Sequence, residues 1–157
     1  LYQLGSVWTT QNAEELKLES FRGGVVLTAM IFTHCESACP RLVADLKRIE
    51  ASLTDEELKQ IRFLLLSMDP ERDTPAQLSL FAENHSLGER WTLVSSDPEA
   101  TMEMANVLGV RVKKLEDGGF DHSNIIHFLD EQGLIRHQQN GFSDEVERLV
   151  QTVREML

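Results

Sequence analysis

Cysteine occurs only twice in the 157-residue chain, at Cys35 and Cys39, so at most one intramolecular disulfide can form and a disulfide-dense scaffold is excluded. No stretch approaches the roughly 18 uninterrupted apolar residues that a membrane-spanning helix requires, and no signal-like apolar segment stands at the front. Positive charge is also scarce. The 15 Lys and Arg face 26 Asp and Glu, a formal charge of −11 that argues against binding nucleic acid phosphates or anionic membrane surfaces. Repeats, low-complexity tracts and long linkers are absent, which leaves one globular domain over residues 1–157 as the expectation. The chain starts at Leu1 and not at Met, which leaves room for an upstream signal or anchor.

What is present alternates between strand and helix patterns. A hairpin is predicted from Val7-Trp8-Thr9-Thr10 and Leu16-Lys17-Leu18-Glu19, turning at Gln11-Asn12. The continuous apolar runs 25–32 and 61–67 read as strands covered on both faces. Between them Leu42, Leu46, Ile49 and Leu53 recur at helical spacing, with Pro40 tolerated in the first turn. Thr74, Pro75 and Gln77 predict a capping box opening a helix over 75–85, and Asp97-Pro98 opens another that stops at Gly109. Trp91–Ser95 reads as a third strand. Later strands are predicted over 110–115, 124–129 and 134–138, with a closing helix from Ser143 that turns Val146, Leu149, Val150, Val153 and Met156 inward. The fold class is α/β: a mixed sheet flanked by helices on a thioredoxin-like plan, with an N-terminal hairpin.

The two cysteines follow the first buried run in His34-Cys35-Glu36-Ser37-Ala38-Cys39-Pro40. Four residues apart, they can share one face of a helical turn, close enough for a common metal ion or for a disulfide. Buried cysteines often serve merely as small hydrophobes. Here, however, the pair stands between a strand end and a helix start, where free backbone N–H groups and the helix dipole favour thiolate. Strands joined by a crossover helix run parallel, so Cys35 and Asp69 emerge at the same sheet edge, where ligands collect in open α/β sheets. An antiparallel strand 124–129 would bring His122 to that edge as well. His34, His85, His127 and His137 have ordinary explanations: a neighbouring side chain pointing away, a helix end, and two strand interiors. Asp69-Pro70 and Thr74-Pro75 are explained by a turn and a cap, with Asp69 a weaker candidate for supporting a ligand or partner.

Three segments together carry a family resemblance: Thr33-His34-Cys35-Glu36-Ser37-Ala38-Cys39-Pro40, Asp69-Pro70-Glu71-Arg72-Asp73-Thr74-Pro75, and Asp121-His122-Ser123. In order and spacing they resemble the signatures of the Sco/SenC copper proteins, and the similarity spans nearly the whole chain. The resemblance implies a thioredoxin-like fold, copper held by Cys35, Cys39 and His122, and a metallochaperone that assembles the binuclear copper site of cytochrome c oxidase. It departs from the family at Gly23-Gly24, where members commonly carry Gly-Lys, and the anchoring helix that the family carries upstream is not within residues 1–157. Two thiolates suit Cu(I) and an added imidazole admits Cu(II), with catalytic zinc the main metal alternative. The partners implied are the oxidase copper-site subunit or another copper recipient, and a thiol reductant. The setting implied is extracytoplasmic, the bacterial periplasm, with any membrane contact through an anchor outside this chain. The rival reading makes Cys35 and Cys39 the redox-active pair of a thiol-disulfide oxidoreductase or redox sensor with no obligatory metal. Against it stand the CxxxC spacing and the positions of Pro40, Pro70, Pro75 and Pro98, all ahead of the late strands, where a thioredoxin carries its cis-proline.

Overall fold

Seven strands form one sheet, in the spatial order of residues 15–17, 7–10, 91–95, 61–67, 25–31, 125–129 and 135–140. The computed structural model of the chain describes residues 2, 4–34, 38–117, 119–141 and 145–157, with backbone alone at 38 and 39. At its centre are β3 (Val25–Ile31), β4 (Ile61–Ser67) and β5 (Trp91–Ser95), parallel to one another and joined through α1 (Ala38–Ser52) and α3 (Pro75–Asn84). Every residue of β3 is buried, as its uninterrupted apolar sequence requires when both sheet faces are covered. The β4–β5 pairing is sealed by stacking of the register partners Phe63 and Trp91, with ring centroids 4.5 Å apart. The Trp91 indole N–H is satisfied by Glu50 of α1.

The N-terminal hairpin consists of β1 (Val7–Thr10) and β2 (Glu15–Lys17), and β1 adds antiparallel to β5. Its turn is longer than expected. Residues 11–14 close through Thr10 N–H to Glu14 O, and residues 18–21, expected partly as strand, coil into a 3-10 turn that buries Leu18 and Phe21. Helix α1 buries Leu42, Val43, Leu46 and Ile49, the stripe that its spacing predicts.

A short helix α2 (Asp55–Leu58) was not anticipated, although Thr54 and Glu57 form a reciprocal capping box in front of it. The box expected at α3 is only half formed. Thr74 accepts the Gln77 N–H, but the Thr74 N–H goes to Arg72 O and not to the Gln77 side chain. Helix α4 (Pro98–Leu108) starts at Asp97 and ends on Gly109 in the left-handed conformation, as predicted.

The late region differs most from expectation. The stretch expected as one strand over 110–115 contains β6 (Val112–Lys114), which pairs with an unanticipated β7 (Phe120–His122) as a separate two-stranded sheet. Gly118, between them in sequence, lies outside the described residues. The chain then returns to the main sheet as β8 (Ile125–Leu129), antiparallel to β3, and β9 (Ile135–Asn140). Helix α5 (Val146–Met156) buries Val146, Leu149, Val150 and Val153 and packs beside α1, while its expected start at Ser143 lies outside the described residues.

Candidate metal centre

The carboxyl ends of β3 and β4 and the amino end of β8 meet at one edge of the sheet, because β3 and β4 are parallel and β8 runs against them. From β3 the chain passes through Phe32, Thr33 and His34 to Cys35. Cys35 lies outside the described residues, as do Glu36 and Ser37. Cys39 belongs to the first turn of α1, and only its backbone is described.

His122 comes to this edge on β7 and not on a loop leading into β8. Its ring meets Phe32 edge-on at 5.6 Å between centroids, and Phe120 of the same strand meets Phe32 at 4.9 Å. Phe32, 5% exposed, therefore joins the small sheet to the end of β3, three residues before Cys35. The His122 Nδ1 lies 3.1 Å from the Ser123 carbonyl oxygen. In the neutral tautomer that donates from Nδ1, the lone pair sits on Nε2, the form in which imidazole ligates a metal. A cleft of about 370 Å³ between α4 and β6 opens beside His122, lined by Met102, Val110, Arg111 and Val112 among others.

At the carboxyl ends of β3 and β4 lies a carboxylate to which the sequence alone assigns no role, Asp73. Asp73 is fully buried and accepts three hydrogen bonds: Thr33 Oγ1 at 2.6 Å, Ser67 Oγ at 2.6 Å and the Thr33 N–H at 3.2 Å. Burial pushes its pKa above the ordinary carboxylate range, against the lowering effect of the Ser67 and Thr33 bonds, and the neighbouring Asp69 pushes the same way as burial. Asp69, weighed as a supporting residue, instead pairs with Arg72 within its own turn. The spacing of Asp73 behind Asp69 was the available signal. Its target, Thr33, is set by the β3–β4 register and could not be read locally.

His34, exposed, places Nδ1 3.3 Å from Thr33 Oγ1 and 4.0 Å from Asp73 Oδ1. One ligand atom from each of His34, Asp69 and Asp73 lies within 4.8 Å of the others. These carboxylates are already engaged by hydroxyl, amide and guanidinium donors, so the group braces Thr33 at the end of β3 more readily than it cages a cation. Asp73→Ala strands the Ser67 hydroxyl and the Thr33 N–H. It is expected to cost about 2–3 kcal/mol of unfolding free energy in urea titrations, with Asp73→Asn retaining more because one amide oxygen can accept both bonds.

The remaining histidines fall as expected. His85 caps α3 with its ring on Phe81, and burial together with the Lys47 charge lowers its pKa. His137 packs edge-on against Phe128, and His127 is wholly buried in β8.

A family model described as SCO1/SenC matches residues 6–157. The chain belongs to the SCO1/SenC family. A SCO1 protein homolog of Bacillus subtilis is 28% identical over 135 residues, covering 83% of this chain and 69% of the relative. Among solved structures, BsSco is 27% identical with a TM-score of 0.82, covering 96% of this chain and 90% of that one. It is described as having a disulfide switch and as a member of the Sco family of cytochrome c oxidase assembly proteins. The copper-bound ScoI of Bradyrhizobium japonicum superposes with a TM-score of 0.79 at 24% identity over 97% of each chain, a likeness of fold. The chain spans 44–69% of the lengths of the curated relatives it matches. This SCO1/SenC chain has the thioredoxin-like topology expected of it, a mixed sheet flanked by helices with an N-terminal hairpin. Among the described residues, no helix is long and apolar enough to cross a membrane.

Proposed function

We propose that this SCO1/SenC protein is a copper metallochaperone, one domain over residues 1–157, that carries a single copper ion on Cys35, Cys39 and His122. The observation that carries the reading is the seating of His122 against Phe32 at the carboxyl end of β3, the strand that leads directly into the cysteine segment. Two soft thiolates and one imidazole suit Cu(I) and Cu(II) in turn and leave the ion open to a recipient. The recipient is the copper-site subunit of cytochrome c oxidase or another copper acceptor. The same cysteine pair, cycling between dithiol and disulfide, can also prepare the recipient's thiols, and a partner reductant returns it to the dithiol. Such traffic belongs in an extracytoplasmic compartment, where thiols oxidise readily. The disulfide switch described for BsSco favours the second reading, in which exchange of that disulfide is the activity and metal is not obligatory.

Anaerobic titration of the reduced protein separates the two. The metallochaperone binds one copper per chain, and its Cu(II) form shows thiolate-to-copper charge transfer. His122→Ala is expected to remove or strongly shift that absorption while Cu(I) binding persists on the thiolates, and His137→Ala is expected to leave it unchanged. Equal spectral loss in both variants would overturn the role of His122. Absence of stoichiometric binding by the reduced wild type would leave the exchange reading standing alone.

A further inference from the structure

The chain has 26 acidic and 15 basic residues, and several of its arginines pair with carboxylates. Arg48, Arg72, Arg136, Arg148 and Arg154 each have a carboxylate oxygen within ion-pair reach. Arg22 and Arg62, like Arg90 and Arg111, have none among the described residues. Arg22 and Arg62 are each held over an aromatic ring instead, Arg22 at 5.8 Å from the Tyr2 centroid and Arg62 at 5.6 Å from that of Phe21. A ring face positions a guanidinium through its quadrupole but supplies no compensating charge. Both side chains nevertheless line one cleft of about 250 Å³, with Lys59 as its third cation and no acidic residue in its wall. Lys59 itself is tied at 3.0 Å to the exposed Glu56.

The floor of the cleft is bare backbone. Gly23 sits at φ +105°, a conformation that favours glycine, and a Cβ on Gly24 would come within 3.0 Å of the Gln60 carbonyl oxygen. The cleft lies at the amino ends of β3 and β4, at the opposite end of these parallel strands from Thr33 and Asp69. A larger cavity of about 730 Å³ adjoins it through Gly23 and Gly24. That cavity carries Asp130, already paired with Arg136, and Glu131, and these acids bound the basic cleft on that side.

Arg22 and Arg62 together line one small concavity, and the planar donor fork of a guanidinium matches a tetrahedral oxyanion. We infer that the cleft at the amino ends of β3 and β4 binds a phosphate-type oxyanion through Arg22 and Arg62, with Lys59 adding charge. The oxyanion is either free phosphate or the phosphodiester of a lipid headgroup. The net charge of −11 does not forbid this, because charges farther away than a Debye length of about 8 Å are largely screened at physiological salt.

The test follows backbone amide resonances of Gly23, Gly24 and Val25 while inorganic phosphate replaces chloride at constant ionic strength. A second arm floats the protein with vesicles of phosphatidylcholine alone or mixed with phosphatidylglycerol. Saturable shifts are expected, weakened about tenfold or more in R22Q/R62Q, partly in R62K, which keeps the charge but loses the fork, and not in R148Q. All the substituted side chains are exposed, and R62K preserves the test should the double variant misfold. Saturable phosphate binding without flotation assigns the cleft to a small anion. Flotation that needs phosphatidylglycerol and is lost in R22Q/R62Q assigns it to lipid phosphate. Shifts that never saturate, that chloride reproduces, or that survive R22Q/R62Q overturn the inference.

Discussion

Oxidising Cys35 and Cys39 to a disulfide is expected to abolish copper uptake, and bound copper is expected to shield both thiols from alkylation. The same two sulfurs cannot be bonded to each other and donate as thiolates, so the two states compete for one pair of atoms. Serine at either position should have nearly the same effect, because a hydroxyl is a poor donor to Cu(I) and the remaining thiolate and imidazole cannot replace the lost sulfur. The loss should exceed the roughly 100-fold typical of removing a residue that only supports a ligand. Equilibrium dialysis against a competing chelator measures it. If disulfide-bonded protein takes up copper as tightly as reduced protein, the metal lies elsewhere and the proposed ligand set falls.

The fold itself should weaken in mild acid, and His127 is the reason. It is fully buried on β8, the strand between β3 and β9; Nδ1 is held at 2.9 Å by Gln138, and Nε2 has no hydrogen-bond partner among the described residues. Desolvation alone pushes its pKa down to about 4, from 6.5 when solvated. Between those values the unfolded chain binds a proton that the folded chain refuses, so stability falls as pH drops from 6.5 to 4. A shift of this size corresponds to a total loss of about 3 kcal/mol. Asp73 works the other way. Its raised pKa means that the folded state holds a proton more tightly, which favours the fold at acid pH and withdraws that help as pH rises through the folded value. Urea unfolding of the wild type and of His127→Phe across this range isolates the histidine contribution. The variant should lose the slope of one proton, and superimposable pH profiles would remove His127 as the cause.

Elements whose own residues encode burial were legible in the sequence. Strands β3 and β4 are uninterrupted apolar runs, α4 carries its start at Asp97 and its stop at Gly109, and α5 carries its inward stripe. The parallel pairing of β3 and β4, inferred from the intervening helix, then put Asp69 at the edge to which Cys35 leads. Weakly patterned segments were harder to read. β7 is three residues long, Phe-Asp-His, too short for alternation to be read, and its existence depends on pairing with β6 and on Phe120 finding Phe32. The role of Asp73 was hidden for the same reason, since its partners Thr33 and Ser67 are brought to it by sheet register. The cleft at Arg22 and Arg62 joins residues on two strand starts that only the fold makes neighbours.

His122 stands on the two-stranded sheet while Phe32 closes β3 of the seven-stranded one, and the packing of that phenylalanine against two rings bridges them. An ion gripped by both parts would act as a removable rivet between them. On the proposed ligand set, letting go of the ion would leave the seven-stranded frame intact and ask only that the small hairpin lift from Phe32. The contact that would then open is the packing of Phe120 and His122 on Phe32, which substitution at Phe32 or Phe120 can weaken without touching a proposed donor atom.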